Sequence, residues 1–188
     1  MGSQHQSIDE LAKQLEQQQL DTLPPVDQWN PPLSGDIDIR IDREGRWYHE
    51  GSPFQREKLV KLFASILKRE GDEYFLVTPV EKFRIQVDDL PFSVIAVEEV
   101  ESAEGLALKF TTNLGDQVVA GKDHPLVVET DPDGAEPRPS IRIRKNMEAR
   151  IHRNVFYDLV EKARHRETAE CSVLEVGSGN QVFELGRF

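Results

Sequence analysis

The sequence predicts an α+β protein of two tandem, duplicated units, each a curved antiparallel sheet packed with one amphipathic helix. Three observations carry this. Apolar residues alternate with polar ones in several short runs, Ile37, Ile39 and Ile41 being the clearest. Apolar residues recur at helical spacing twice, first at Leu59, Leu62, Phe63, Ile66 and Leu67, then at Phe156, Leu159, Val160 and Ala163. The stretch IRIRKNMEARIHRNVFYDLVEKARHRETAECSVLEVG, residues 141–177, also reads like a copy of residues 39–79.

The elements follow in order. Ser7 and Glu10 have capping-box spacing, and Ile8, Leu11 and Leu15 form one narrow stripe on a helix running to about Gln19. So thin a stripe either docks weakly or frays. LDTLPPVDQWNPPLSG carries two proline pairs that deny helix, and Trp29 is its one large anchor, expected to pack on the first domain. From Asp36, alternation predicts a strand, Glu44-Gly45 a hairpin turn and Trp47-Tyr48-His49 the returning strand. Ser52-Pro53 then marks a helix start, and the periodic run continues through Arg69 to a stop at Gly71-Asp72. Tyr74–Thr78 and the alternating Phe83, Ile85 and Val87 give two more strands, so the first unit reads β-β-α-β-β.

The repeat fits two offsets. Ile39 and Ile41 align with Ile141 and Ile143 at 102, whereas Arg56, Leu59 and Leu62 align with Arg153, Phe156 and Leu159 at 97. Between the copies, Phe92–Val100, Leu106–Thr112 and Gln117–Ala120 have the cadence of an antiparallel meander. The second unit is thus a strand-rich sheet with one late helix, similar to a pleckstrin-homology-like arrangement. The expected domains are 1–35, a helix with its proline-rich extension, then 36–91 and 92–188.

Composition narrows the function. The chain has 188 residues and a formal charge of −11, from 23 Lys+Arg against 34 Asp+Glu, which makes nucleic acid and anionic membranes unfavourable partners. A single cysteine, Cys171, precludes an internal disulfide and fits a reducing, cytoplasmic setting. Its predicted place is a buried strand. No segment approaches the roughly 20 apolar residues of a membrane span, and no basic-then-apolar leader opens the sequence.

WYHEGSPFQREKLVKLFASILKREGDEYFLVTPVEKFRIQV, LKFTTNLGDQVVAGKDHPL and RKNMEARIHRNVFYDLV, in that order, resemble the bacterial family known as domain of unknown function 1285. The resemblance covers the chain from about Trp29 onward. It implies tandem α+β units, the C-terminal one pleckstrin-homology-like, with a site between them for a nucleotide-like ligand in a signalling role. It implies no catalytic activity.

The residues themselves carry no catalytic signature. His5, His49, His124, His152 and His165 lack HxH, HxxxH or HExxH spacing, so neither a metal nor a cofactor is expected. GSGN at 177–180 lacks the Lys-Ser/Thr and helix of a phosphate loop and reads as a hairpin turn. The binding candidates are Glu81 and Lys82 beside a strand break, then Thr112, Asn113 and Asp116 in a polar turn. His124, held extended by Pro125, and the basic residues Arg142, Arg144 and Arg153 complete the set. Arg142 and Arg144 alternate opposite Ile141 and Ile143 and should face outward. The acidic run Asp88, Asp89, Glu98, Glu99, Glu101 and Glu104 is a second possible destination for these arginines. The expected function is a non-catalytic, signalling-related module taking a small anionic, nucleotide-like ligand in an interdomain cleft. The alternative is a structural or protein-interaction adaptor with an unidentified protein partner.

Overall fold

The computed structural model describes residues 5–17, 22–131, 133–134 and 136–188. The chain divides between Asp88 and Asp89 into two compact units. No helix among the described residues is long and apolar enough to cross a membrane.

The first unit opens with α1 (His5–Gln17), a 3₁₀ turn at Val26–Gln28, and strands β1 (Gly35–Ile41), β2 (Trp47–His49) and β3 (Ser52–Pro53). Then come α2 (Glu57–Ser65), β4 (Leu67–Glu70), β5 (Glu73–Val77) and β6 (Lys82–Val87). The thin stripe docks: Ile8, Leu11, Ala12 and Leu15 are buried, and α1 packs against α2. The side chain of Ser7 and residues 18–19, where that helix was expected to begin and end, lie outside the described residues. Trp29 is half-buried, and its carbonyl accepts from Lys68 Nζ at 3.0 Å, which ties the proline-rich segment to β4.

The expected helix was too long at both ends. Ser52-Pro53 is a short strand paired with β2, and the helix starts at Glu57. After Ser65 the chain leaves the helix, and Leu67–Glu70 pairs antiparallel with Glu73–Leu76 of β5. Gly71, at φ +60°, therefore turns a hairpin instead of stopping a helix. The run misled because Ile66 and Leu67 fit the helical stripe, yet both are buried as strand and strand-approach residues.

The second unit contains β7 (Phe92–Ser102), β8 (Gly105–Thr112), β9 (Gln117–Val119), β10 (Leu126–Thr130), β11 (Pro137–Arg144) and β12 (Met147–Ile151). The late helix α3 (Arg153–Lys162) follows, and then β13 (Arg164–Glu167), β14 (Ser172–Ser178) and β15 (Gln181–Arg187) form a separate three-stranded sheet. The GSGN turn is a hairpin: Ser178 pairs with Gln181, and Gly179 sits at φ +58°. Cys171 is not in a strand. It is half-exposed in the turn before β14, where its N–H donates to Thr168 Oγ1 at 3.0 Å.

The two six-stranded sheets share one topology. Their orders are β3-β2-β1-β6-β5-β4 and β10-β11-β12-β7-β8-β9, so each joins two antiparallel three-stranded meanders through one parallel pair. Those pairs are β1 with β6 and β12 with β7. Each sheet is therefore mixed, where sequence predicted antiparallel pairing throughout. The repeat is one of whole sheets, with β1–β6 answering β7–β12 in chain order. The offsets of 102 and 97 matched β1 with β11 and α2 with α3, which hold different places: α2 lies between β3 and β4, and α3 follows β12. Amphipathic segments align with one another on period alone, so the alignment found the duplication in the wrong register.

Asp42 organises the β1–β2 turn. Its Oδ1 accepts the N–H groups of Glu44 and Arg46 at 3.0 and 2.9 Å, and Oδ2 accepts Arg46 Nε at 2.8 Å and Tyr48 Oη at 3.2 Å. Burial pushes its pKa up, but these donors outweigh it and hold the carboxyl below the usual value.

Gly71→Ala tests the β4–β5 assignment. A Cβ there meets nothing within 4 Å, so the cost is backbone strain alone, about 1–2 kcal/mol in urea unfolding. A helix-stopping glycine followed by no hairpin would show the same loss, but the Phe75 amide, which faces Lys68 across the pair, would then lack the exchange protection that pairing to β4 gives.

Candidate functional site

Two of the predicted residues belong to the first unit. Thr78 Oγ1 accepts the N–H of Glu81 at 3.0 Å, and Glu81 O accepts the N–H of Thr78 at 2.9 Å, which closes the β5–β6 turn. Lys82 Nζ pairs with Glu70, which also holds Lys68 at 3.2 Å, and lies 4.3 Å from the Phe75 ring centroid. The Lys82 hydrogen bond is the main cause that keeps the Glu70 carboxyl below its ordinary value. Lys82 is thus spent on its own sheet.

The β8–β9 turn uses Thr112, Asn113 and Asp116 on backbone. Buried Thr112 accepts the N–H of Asp116 at 3.1 Å on its hydroxyl, and its own N–H donates to Asp116 O at 2.9 Å. Asn113 grips β7: its Oδ1 accepts Ser93 N–H at 3.1 Å while its N–H donates to Ser93 O at 2.8 Å. These groups act as turn chemistry does.

His124 lies within hydrogen-bond reach of Arg142 O, Nδ1 to oxygen 2.9 Å. With Lys122 it lines a pocket of about 490 Å³ whose other wall is Ser178, Gly179, Asn180 and Gln181. The loop at 122–125 and the GSGN turn are far apart in sequence and meet here. Ser178 locks the junction, donating to Ala120 O at 2.7 Å and accepting Leu108 N–H at 2.9 Å. Glu104 and Asp123 also line this pocket, so its charge is mixed.

The arginines part company. The strand alternation fails between Arg142 and Arg144, where the β11–β12 register shifts. Arg142 is exposed as expected, but Arg144 packs 5.1 Å from the Phe92 ring centroid, and burial lowers its pKa against the opposing pull of Asp116. Arg153 opens α3, 3.7 Å from Glu136 and 5.9 Å from the Tyr157 ring centroid.

Four residues of the acidic run, Asp88, Asp89, Glu98 and Glu99, find cations, each inside its own unit. Arg40 Nε donates to both oxygens of Asp88 at 2.9 and 3.1 Å. Arg150 grips Asp89 bidentately at 2.8 and 2.9 Å, and Arg138 adds a third bond at 2.7 Å. Glu98 pairs with Lys109 and Glu99 with Lys162. Burial raises the Asp89 pKa, but Arg150 and Arg138 more than reverse this, and the carboxyl titrates below its usual value.

Sequence reasoning missed a groove of about 880 Å³ within the second unit. Val128 of β10 and Phe183 and Leu185 of β15 form its walls, and Phe156 and Val160 of α3 with Leu174 of β14 line it further. Both walls are edge strands of their sheets. The available signal was apolar residues on both faces of two short strands, Leu126-Val127-Val128 and Val182-Phe183. Val127, Val182 and Phe188 remain 42%, 56% and 75% exposed at this groove. Among the described residues no group of three or more His, Cys, Asp or Glu could hold a metal ion.

Known proteins match along almost the whole length. Residues 24–90 match the model "Domain of unknown function (DUF1285), N-terminal domain", and residues 91–185 match "Protein of unknown function (DUF1285), C-terminal domain". A crystal structure of a DUF1285 family protein from Silicibacter pomeroyi DSS-3 is 40% identical, with 94% of each chain covered and a TM-score of 0.83. One from Shewanella baltica OS155 is 28% identical over 65% of this chain and 90% of that chain, with a TM-score of 0.51. No curated protein matches.

The Asp89 clamp yields a pH prediction. Its carboxyl titrates lower folded than unfolded, so its stabilisation is complete above about pH 4 and is lost as pH falls through the folded value. Asp89→Asn should cost about 1.5–3 kcal/mol at neutral pH, and urea titrations should show the gap to the parent protein closing on acidification. A pH-independent gap would refute the clamp.

Proposed function

Taking as premise that the chain belongs to the DUF1285 family, we propose that it is a non-catalytic binding module whose second unit receives an apolar segment of a partner protein. The observation that carries this reading is the groove between β10 and β15. Its roughly 880 Å³ lies toward the upper end of the range for ligand sites, about 300–1,000 Å³, and its lining is mainly aliphatic and aromatic, as binding sites are. Exposed Val127, Val182 and Phe188 at the same place add apolar area that water covers at a free-energy cost of roughly 25 cal/mol per Å².

The absence of catalysis is part of the proposal. It is supported by the use of Lys82, Thr112, Asn113 and Asp89 in internal hydrogen bonds and ion pairs, which leaves these groups committed to structure. A cytoplasmic, signalling-related setting belongs to the same proposal, supported by the lone Cys171 and by the family resemblance.

A second reading, a small anionic and nucleotide-like ligand, draws on the pocket that Lys122 and His124 line and on the exposure of Arg142. A thermal-shift series with nucleotides, sugar phosphates and carboxylates tests it. Ligand at 100 times its dissociation constant should stabilise by about 2.7 kcal/mol, and Lys122→Ala/His124→Ala should abolish the shift. No shift with any anion refutes this reading.

For the groove, the probe is a fluorescein-labelled peptide with a Leu-Val-Phe-Val core and Ser-Gly flanks, followed by polarisation. Saturable binding is expected, and Val160→Gln/Val182→Gln should weaken it at least about tenfold by placing polar groups on two groove positions. Thermal melts of the double variant report whether it stays folded. Absence of binding, or binding that the folded variant retains in full, defeats the proposal.

A further inference from the structure

We infer that the partner segment carries basic residues beside its apolar core; this inference rests on the groove reading and specifies the partner. The argument is charge complementarity at the β10 end of the groove. Glu129 near the end of β10 is followed by Asp131, Asp133 and Glu136 in the connection to β11, and Thr130, Gly134 and Glu136 line the groove itself. At the β15 side, Glu184 lines it too.

The cations nearby are engaged. Arg187 holds Glu184 at 2.7 Å, and Arg153 faces Glu136 at 3.7 Å. Arg138 stands opposite Glu129 in the β10–β11 register, but its guanidinium bonds Asp89 at 2.7 Å and reaches Asp131 at 3.5 Å. Glu129 and Asp133 are exposed and make no ion pair with another described residue. The rim therefore keeps a negative excess after its own pairs are made. A peptide bringing Lys or Arg to that end gains attraction, and one bringing Asp or Glu is repelled.

Such a rim acts chiefly on partner choice and association rate. Exposed carboxylates in water contribute little each, and added salt screens them over roughly 10 Å at 0.1 M. The apolar lining supplies affinity and the rim selects among apolar segments.

Two peptides with the Leu-Val-Phe-Val core, one flanked by Lys-Lys and one by Glu-Glu, separate the two claims. At low ionic strength the basic peptide should bind about tenfold tighter, and the difference should shrink as salt rises. Glu129→Gln/Asp133→Asn should erase most of the preference while leaving the Ser-Gly-flanked peptide unaffected. Equal affinity for the two charged peptides, or a preference unchanged in the neutralised variant, overturns this inference and leaves the groove reading intact. Loss of all peptide binding in the parent protein overturns the groove reading itself. Self-association through the groove, seen as a concentration-dependent mass in sedimentation and broken by Val160→Gln/Val182→Gln, would replace the basic segment with a second copy of the chain.

Discussion

Each sheet depends on one parallel pairing. The meanders β1–β3 and β4–β6 become a single sheet only because β1 lies beside β6, and β7–β9 join β10–β12 only through β7 and β12. A parallel pair cannot be made by a tight turn, so its two strands must meet across the whole intervening chain, at the loop-closure cost of a non-local contact. Both pairs are clasped by an arginine on an aspartate: Arg40 of β1 holds Asp88, just past β6, and Arg150 of β12 holds Asp89, just before β7. Adjacent aspartates thus serve different units, and the chain divides between them. The acidic run begins in the sequence with what the fold makes a pair of structural clasps.

That commitment changes where function is sought. A basic segment in an acidic protein invites an anion, yet Arg150 is consumed by Asp89, Arg144 by its seat over Phe92 and Arg153 by weak contacts at the start of α3. The groove offers an apolar surface instead, and it arises because β10 and β15 are both edge strands with valine and phenylalanine beside it. Edge strands with exposed apolar side chains expose a protein to unwanted pairing, which proteins counter with charge. The acids of the β10–β11 connection supply such charge, and the proposed selectivity of the groove rests on the same charge.

Local signals were the legible ones. The β1–β2 hairpin followed from alternation of Ile37, Ile39 and Ile41 and from Gly45, and the final hairpin followed from GSGN, since period two and positive φ at glycine are properties of a few consecutive residues. The helix at 57–65 was found but stretched across β3 and β4, because Ile66 and Leu67 satisfy a helical stripe and a buried strand equally well. The duplication was visible as a class of pattern but aligned wrongly, since period says nothing about strand order. Thr112 and Asn113 were picked as ligand-binding candidates for their polar groups, and only the fold showed that these groups bond the Asp116 and Ser93 backbone.

By itself, then, the sequence determined the α+β class, two units in tandem, most strand and turn positions and the acidic charge balance, all of which depend on spacing and composition along the chain. Only the tertiary structure decided the parallel pairs, the partners of the arginines and the existence of the groove. Each of these joins residues tens of positions apart, such as Val128 with Leu185 or Asp89 with Arg150. Their proximity comes from sheet topology, which no local period encodes.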